Sequence, residues 1–218
     1  MEKKIQYIQI PNNLICTKDI SHFAIFLYVV LVINSFNKIV NIKISKLLEL
    51  TGWKSNKTLK KYLTELKQLN YINYDFIDLP KNTNAEIKIS KQSYGKDNYF
   101  VGIDRECLLK IMEITSEVLA KRDKKKKVVD LKEQSIRLFS YYCIKYNKDV
   151  GFAYVAYSII KLDTGIRDAN IKSINTILHK NKILEVTIGG RYILDDEDKK
   201  NIRERNHYIP LCKIKNKI

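Results

Sequence analysis

Apolar residues in the first half of the chain recur in patterns that predict helices. The uninterrupted run FAIFLYVVLVI, eleven residues long, predicts a buried helix over about Ser21–Asn34, because a membrane-spanning helix needs about 20 such residues. Asp19 or Ser21 is placed to cap its free N–H groups. A shorter helix is predicted over about Ile44–Leu50, and it ends at Thr51-Gly52, where glycine tolerates a C-cap conformation.

The third predicted helix, about Ser55–Asn70, has an apolar face and a basic face. Ser55 is its predicted N-cap. The apolar side chains recur at intervals of three and four residues, which places them on one side of a helix; they are Leu59, Tyr62, Leu63, Leu66 and Leu69. The other side is left with one carboxylate, that of Glu65, and with Lys54, Asn56, Lys57, Lys60, Lys61, Thr64 and Lys67.

Strand patterns flank these helices. Lys3–Ile10 predicts an N-terminal strand, and Tyr71–Leu79 and Ala85–Ser90 predict two more, which the polar, turn-rich segment Pro80–Asn84 connects. Three helices followed by a β-hairpin is the order of a winged helix, and the hairpin tip is then the wing.

The second half of the chain repeats this order. A strand at Tyr99–Ile103 precedes four helical segments, which are Asp104–Ala120, Leu131–Tyr146, a short helix within Ala153–Asp163, and Asp168–Asn181. The last helix directs Ile171, Ile174, Ile177 and Leu178 inward, and Asp168 is its predicted N-cap. A hairpin is predicted from Lys182–Ile188 through a tight turn at Gly189-Gly190 to Arg191–Leu194.

The two halves align with each other. Thr51-Gly52 corresponds to Thr164-Gly165 at a shift of 113 residues, and the apolar positions of the helix that follows correspond at a shift of 112. IQIPNNLI at 8–15 also resembles VGIDRECL at 101–108. A repeat of about 100 residues indicates a duplicated domain rather than a solenoid. The sequence therefore predicts an α+β, mostly helical chain of two winged helix-turn-helix domains in tandem, at 1–95 and 96–195, with a basic loop or linker at about 121–130 and a basic extension at 196–218.

The net charge of the chain indicates a class of binding partner. The chain has 40 Lys and Arg against 24 Asp and Glu, a net charge of +16. Such an excess favours polyanions, because lysines that bind phosphates release the counterions held there. The alternative is compositional bias, since Lys, Ile and Asn are all abundant. The charge therefore predicts a nucleic-acid partner without identifying its site.

The basic face of the third helix is the first candidate site. A helix in this position fits the major groove of DNA, about 12 Å wide, with its N-terminal residues at base edges and its lysines at phosphates. Asn56 and Lys57 are candidates for base contacts, and Lys54, Ser55, Lys60 and Lys61 for bases or backbone. A solvated helix face is the alternative. Trp53 is expected to pack the preceding turn against the core, with stacking on a sugar or base as its alternative.

The second copy of this helix is less basic. Its candidate DNA contacts are Arg167, Asn170, Lys172 and Ser173, and Asn175 is a further polar candidate. A dimer or partner surface is the alternative for this helix. Lys81 and Asn82 on the first wing and Arg191 on the second are placed to contact phosphates or the minor groove, although polar residues also accumulate at any hairpin tip.

Catalytic and metal-binding patterns are missing from the sequence. It has no GK[ST] phosphate loop, no GxSxG and no HExxH, and His22, His179 and His207 are isolated. Its four cysteines are widely spaced, with no CxxC, which predicts reduced and mostly structural thiols in a cytoplasmic protein. We expect no enzyme activity, no catalytic residue, no metal, no cofactor and no membrane segment.

Several of these segments resemble a known group of proteins. IPNNLI, SHFAIFLYVVLVIN, TGWKSNKTLKKYLTELKQLNYI and the second copy, SIRLFSYY leading to TGIRDANIKSINTILHKNKIL, look like bacterial tandem winged-helix proteins, which include initiators of plasmid theta-type replication in Gram-positive bacteria. The resemblance covers about residues 5–195. It implies that each domain places its third helix in a major groove of one origin repeat, a role carried onto Asn56, Lys57, Lys60 and Lys61 and onto Lys172 and Ser173.

The resemblance implies a sequence-specific double-stranded DNA-binding protein that initiates plasmid replication at repeated origin sequences. Such a protein recruits host replication proteins and has no ATPase of its own. A winged-helix transcriptional regulator and a protein-interaction scaffold are the alternatives, and a homodimer is compatible with each of them. The weaker basicity of the second helix departs from a symmetric pair of DNA-contacting helices.

Overall fold

A computed structural model of the chain describes residues 6–76, 84–90, 99–121, 130–190, 205–212 and 214–217. Within these ranges the fold is α+β, with eight helices and three small antiparallel sheets. The first elements of the described residues are β1 (Tyr7–Pro11) and the single-turn helix α1 (Asn12–Ile15).

The first unit, residues 22–89, has the order helix, strand, helix, helix, strand, strand. Its elements are α2 (His22–Ile33), β2 (Ile39–Lys43), α3 (Ile44–Thr51), α4 (Asn56–Gln68), β3 (Ile72–Asn73) and β4 (Asn84–Ile89). β4 lies between β2 and β3 and is antiparallel to both. α2 is buried at nearly every position, which confirms the burial expected from its uninterrupted apolar run.

The second unit, residues 131–210, repeats this order with one additional strand. β5 (Phe100–Asp104) and α5 (Arg105–Lys121) lead into it. Its elements are α6 (Leu131–Lys145), β6 (Tyr146–Asn147), β7 (Phe152–Tyr154), α7 (Tyr157–Thr164), α8 (Asp168–Lys180), β8 (Leu184–Gly190) and β9 (Arg205–Pro210). β9 lies between β7 and β8, just as β4 lies between β2 and β3. The two units therefore share both element order and strand order.

The same turn connects α3 to α4 and α7 to α8. The hydroxyl groups of Thr51 and Thr164 donate to the carbonyl oxygen four residues earlier, over 2.9 Å and 2.6 Å. Each hydroxyl then accepts a bond from the N–H two residues later, over 3.4 Å and 3.2 Å. Gly52 and Gly165 follow at φ angles of 74° and 71°, a left-handed conformation that favours glycine. The sequence correspondence at a shift of 113 is therefore a structural equivalence.

α4 and α8 also end in the same way. Asn70 and Lys182, just beyond the two helices, have φ angles of 59° and 53°. The N–H groups of Tyr71 and Ile183 each donate to the carbonyl oxygen five residues earlier, over 2.9 Å and 3.0 Å. These bonds belong to a Schellman motif, which closes the helix C-terminus. They occur at the shift of 112 that aligns the two helices in the sequence.

The hairpin of the second unit differs from the prediction. β8 continues through Gly189 and Gly190, where a turn was expected, and Gly190 pairs with Arg205 of β9. The predicted return strand, Arg191–Leu194, lies outside the described residues, as does all of 191–204. Tyr208 of β9 is fully buried and stacks on Tyr142 of α6, with ring centroids 4.1 Å apart. β9 is therefore part of the core of the second unit.

A third sheet brings the two ends of the chain together. Its order is β1, β5 and β10 (Ile214–Lys217), so the predicted C-terminal extension contributes strands to two sheets. Gln9 of β1 pairs with Gly102 of β5 in antiparallel register. These two residues also correspond in the alignment of IQIPNNLI with VGIDRECL. The pairing is therefore symmetric about them, and a local two-fold relates the strands that precede the two units.

The structure confirms two predicted N-caps and corrects the predicted roles of Leu69 and Asp168. Ser21 and Ser55 are the N-caps of α2 and α4, as predicted, and accept backbone N–H bonds over 3.1 Å and 3.2 Å. The inward placement of Leu69 is wrong, because α4 ends one residue earlier and Leu69 is 42% exposed. Asp168 is the first residue of α8 rather than its N-cap, a position that Arg167 occupies without a side-chain bond.

Candidate nucleic-acid interface

α4 presents the basic face that the sequence predicts. Leu59, Tyr62, Leu63 and Leu66 are buried, which fixes the rotation of the helix about its axis. The candidate DNA contacts then lie on the outer side: Asn56 is partly exposed, and the exposed residues are Lys54, Ser55, Lys57, Lys60 and Lys61. The structure therefore brings these six predicted residues together on one surface.

The single carboxylate of α4 is turned away from this surface. Glu65 accepts hydrogen bonds from the backbone N–H and the hydroxyl of Ser21, both over 2.8 Å. Because Ser21 is the N-cap of α2, the negative charge lies at the positive end of that helix. It does not neutralise the lysines, and the outer face of α4 carries lysine charge alone.

The lysines on this face differ in how they are held. The ion pairs among the described residues include none with Lys54, Lys57 or Lys61. The ammonium group of Lys61 lies 5.2 Å from the ring centroid of Tyr62. Lys67, at the far end of the helix, donates to the carbonyl oxygen of Tyr74 and lies 4.4 Å from its ring centroid. The cations most available to a ligand are therefore near the N-terminus of α4.

The turn before α4 is packed against the core, as predicted for Trp53. The Trp53 ring centroid lies 5.3 Å from that of Tyr62 and 6.2 Å from that of Phe26. Its indole N–H donates to Glu133 Oε1 over 3.3 Å, and Lys132 Nζ donates to the Thr51 carbonyl oxygen over 2.8 Å. Burial raises the pKa of Glu133 and lowers the pKa of Lys132. The first turn of α6 thus holds the segment that enters α4.

α8 places only part of its predicted set on the surface. Arg167 and Lys172 are exposed, and Ser173 is partly exposed. Asn170 donates its amide to Gln134 Oε1 of α6 over 2.9 Å, which ties this predicted contact residue to the protein interior. Asn175 is buried and accepts a bond from the Tyr142 hydroxyl over 3.1 Å, so its placement on the outer face is wrong.

The two helices differ most where α4 is basic. At the shift of 112, Asn56, Lys57 and Lys61 correspond to Asp168, Ala169 and Ser173. Lysine is kept at one aligned pair, Lys60 and Lys172. The outer face of α8 therefore carries less positive charge and has a carboxylate at its start.

α3 and α7, the helices that precede α4 and α8, differ in the kind of side chains that they expose. Lys46 and Glu49 of α3 form an exposed ion pair over 2.7 Å. The corresponding residues of α7, at the shift of 113, are Ile159 and Leu162, which are 45% and 62% exposed. An exposed ion pair in the first unit is thus replaced by an exposed apolar pair in the second.

Three of the candidate DNA-contact residues, and most of the basic loop or linker predicted at about 121–130, have no described position. Lys81 and Asn82 of the first wing and Arg191 of the second lie outside the described residues, as do residues 122–127. Their roles stay predictions from the sequence.

Arg137 is a buried charge that sequence patterns did not single out. Its guanidinium donates to the carbonyl oxygens of Ile15, Thr17 and Ile20 over 3.0, 2.6 and 2.9 Å, and Nη1 lies 3.1 Å from His22 Nδ1. Burial lowers its pKa to about 10, so it stays protonated at neutral pH. The available signal was that arginine is the one charged residue of SIRLFSYY. It joins α6 to the segment before α2 and so fixes that segment against the second unit.

The described residues contain no group of three or more His, Cys, Asp or Glu side chains arranged to hold a metal ion. Among the helices of these residues, none is both long and apolar enough to cross a membrane.

Comparisons with protein-family models, with curated proteins and with solved structures find no match to the chain.

Proposed function

We propose that the chain is a sequence-specific double-stranded DNA-binding protein built from two winged helices in tandem. The first unit has the helix, strand, helix, helix, strand, strand order of that fold, the second unit has this order with one additional strand, and the last strand of each unit lies between two others. In this arrangement α4 and α8 are the recognition helices, and each enters a major groove by its N-terminal half. α4 provides most of the electrostatic affinity.

The observation that carries this proposal is the lysine face of α4, where the ion pairs among the described residues include none with Lys54, Lys57 or Lys61. A helix surface that only faces solvent usually carries charges of both signs, as Lys46 and Glu49 do on α3. On α4 the carboxylate of Glu65 is withdrawn to the N-cap of α2, and the lysines are left as an array with one sign of charge. Phosphates of a DNA backbone match that array.

The salt dependence of DNA binding tests the proposal. Lys57→Ala or Lys61→Ala should weaken binding to duplex DNA and lower the slope of log K against log salt by roughly 0.9 for each phosphate that the variant no longer binds. Lys110→Ala on the exposed side of α5 removes the same charge outside the proposed interface and serves as the control. Affinity and slope that stay equal to those of the control would remove α4 from the interface.

Replication initiation is the particular function we propose, and it rests on the resemblance to plasmid initiators. In this role the chain binds repeated origin sequences, distorts them and recruits host replication proteins. A plasmid that carries only this gene and its flanking DNA should then replicate in a suitable host. Footprinting of the flanking DNA separates the alternatives: a repeated footprint supports an origin, and a single footprint with failed replication supports a transcriptional regulator.

Self-association through α7 is a second role that one observation favours. Ile159 and Leu162 lie one helical turn apart and exposed, at the positions of an ion pair in the first unit. A two-fold contact would place this apolar pair against its own copy. The pair is small compared with the surface that a stable dimer buries, so we expect a weak contact between copies bound at neighbouring DNA repeats.

A further inference from the structure

The first turn of α6 contacts the starting ends of both proposed recognition helices. Its residues Lys132, Glu133 and Gln134 are consecutive in the sequence, and each bonds to a different partner. The first two contact the turn before α4 in the first unit, and the third contacts the first turn of α8 in the second unit. We call these three residues the α6 bridge.

On the side of the first unit, the α6 bridge holds the segment that enters α4. The Lys132 ammonium group donates to the Thr51 carbonyl oxygen over 2.8 Å and lies 4.9 Å from the ring centroid of Phe26 in α2. Glu133 is 4% exposed and accepts the indole N–H of Trp53 over 3.3 Å. The N-terminus of α4 is therefore positioned by residues that belong to the second unit.

On the side of the second unit, the α6 bridge holds the start of α8. Gln134 is 5% exposed, and its Oε1 accepts the amide N–H of Asn170 over 2.9 Å. Arg167, at the N-cap position of α8, makes no side-chain capping bond. The bond to Gln134 therefore anchors the first turn of α8 where no side-chain cap does so.

The turn before α8 has a matching contact from the first half of the chain. A Cβ placed on Gly165 would lie 3.9 Å from the Cβ of Lys18, and one placed on Gly52 would lie 3.3 Å from Lys132 Nζ. At the shift of 113 residues, Gly52 aligns with Gly165, and Lys132 aligns with the residue next to Lys18. Each half of the chain thus contacts the helix-turn-helix turn of the other.

We propose that the α6 bridge is a positioning element that sets the spacing between two half-sites, the short DNA segments that α4 and α8 contact in one duplex. The inference rests on the proposed function and adds the geometry of the DNA partner to it. Because the three residues lie on one helical turn, their bonds connect the two recognition helices through a single rigid segment. Such pre-organisation restricts binding to duplexes whose half-sites both helices can reach at once.

The geometry of B-DNA makes the spacing a sensitive measure of this rigidity. A full turn of the duplex takes about 10.5 base pairs. One inserted base pair therefore moves the second half-site by about 3.4 Å along the axis and rotates it by roughly 35°. Two helices that are fixed to each other cannot follow both changes, so one of them leaves its groove.

Binding to duplexes of altered spacing tests the proposal. A duplex selected by the full chain from randomised DNA supplies the two half-sites, and a second duplex has one additional base pair between them. We expect the wild type to bind the longer duplex about tenfold or more weakly, because one helix disengages. For Lys132→Met and for Gln134→Met, which remove a bond and keep a side chain of similar size, this ratio should fall to about threefold or less. Base preference within each half-site should stay the same.

The ratio of the two affinities separates positioning from stability. Both duplexes are bound by the same preparation, so a smaller folded fraction lowers both affinities equally and leaves their ratio unchanged. Lys145→Met is the matched control on the last turn of α6, where the ammonium group lies 5.2 Å from the Tyr141 ring centroid and 3.6 Å from Asp163. Neither partner belongs to a recognition helix, so this variant should keep the wild-type ratio. Lys132→Arg retains a cationic donor and should restore most of the ratio.

The possible outcomes distinguish this inference from the proposed function. Equal binding of both duplexes by the wild type, or a wild-type ratio in the two bridge variants, would overturn the positioning role. A selected site with a single half-site would also overturn it, while DNA binding by α4 would stand. Failure to select any duplex would remove the proposed function and this inference with it.

Discussion

The hydroxyl of Ser21 donates to Glu65 Oε2 over 2.8 Å, and this bond connects the N-cap of α2 to the middle of α4. The same hydroxyl accepts the Ala24 N–H over 3.1 Å, and the Ser21 backbone N–H donates to the other carboxylate oxygen. One carboxylate therefore orients the cap of one helix and leaves the outer face of the other with lysines. Stability and surface charge depend on the same side chain.

Glu65→Gln should destabilise the protein by about 1 to 2 kcal/mol. The amide offers one acceptor oxygen where the carboxylate offers two, and it lacks the charge that strengthens both bonds. Urea denaturation measures the free energy of unfolding. Glu49→Gln is the matched control, because its exposed ion pair with Lys46 should contribute less than about 0.5 kcal/mol. Equal effects at the two positions would contradict the role of Glu65.

Asn56 and Asn170 should respond differently to substitution by alanine. Asn56 lies at the start of α4 with its side chain partly exposed, so Asn56→Ala should change base preference in a selection from randomised duplex DNA. Asn170 bonds to Gln134 inside the protein, so Asn170→Ala should cost roughly 1 kcal/mol of stability and leave the preference profile unchanged. A profile that changes only for Asn170→Ala would reverse the assignment of the two helices.

The free energy of unfolding should decrease as pH falls from about 6.5 to about 4. Burial, and then the charge of Arg137, lower the pKa of His22 from 6.5 to about 4. The unfolded chain, with the ordinary histidine pKa, binds a proton more readily in this window, so acid favours unfolding. The contribution is fully present above pH 6.5 and amounts to at most roughly 3 kcal/mol.

His22→Asn isolates this contribution, because the other titrating groups stay the same in both proteins. Denaturation at several pH values between 4 and 7.5 should give a steeper dependence for the wild type than for the variant. In the wild type, Arg137 Nη1 lies 3.1 Å from His22 Nδ1. The amide oxygen of an asparagine at this position can still accept a hydrogen bond from Arg137. Parallel pH profiles would show that His22 does not titrate as its surroundings imply.

Local sequence patterns predicted the elements of this fold well, because helices and caps depend on neighbouring residues. The apolar spacing of α4, its Ser55 cap and the Thr51-Gly52 turn all occur as predicted. Strand pairing is harder to predict from local sequence, because paired strands can be far apart in the chain. The Gly189-Gly190 turn was a reasonable local signal, yet β8 pairs with β9, which begins at Arg205.

The candidate site shows the same division between local and non-local information. Helical periodicity placed the lysines of α4 outward, and the structure agrees. Periodicity did not identify the partners of polar residues on other helices, such as Gln134 for Asn170 and Ser21 for Glu65. Those contacts decide which polar side chains remain available to a ligand. They arise from the packing of α6 and α2, which no single segment specifies.

Exchanging the apolar pair of α7 for the ion pair of α3 tests self-association. The double substitution Ile159→Lys and Leu162→Glu gives the second unit the residues of the first, and both positions are exposed. We expect the melting temperature to stay within a few degrees of the wild type, because an exposed i,i+3 ion pair contributes only a few tenths of a kcal/mol.

Sedimentation velocity at rising concentration should show weak self-association of the wild type and less for the variant. Lys46→Ile with Glu49→Leu is the reciprocal control, and it should add a second associating surface. Wild-type protein that stays monomeric, and that binds two adjacent DNA repeats as the variant does, would rule out α7 as the contact.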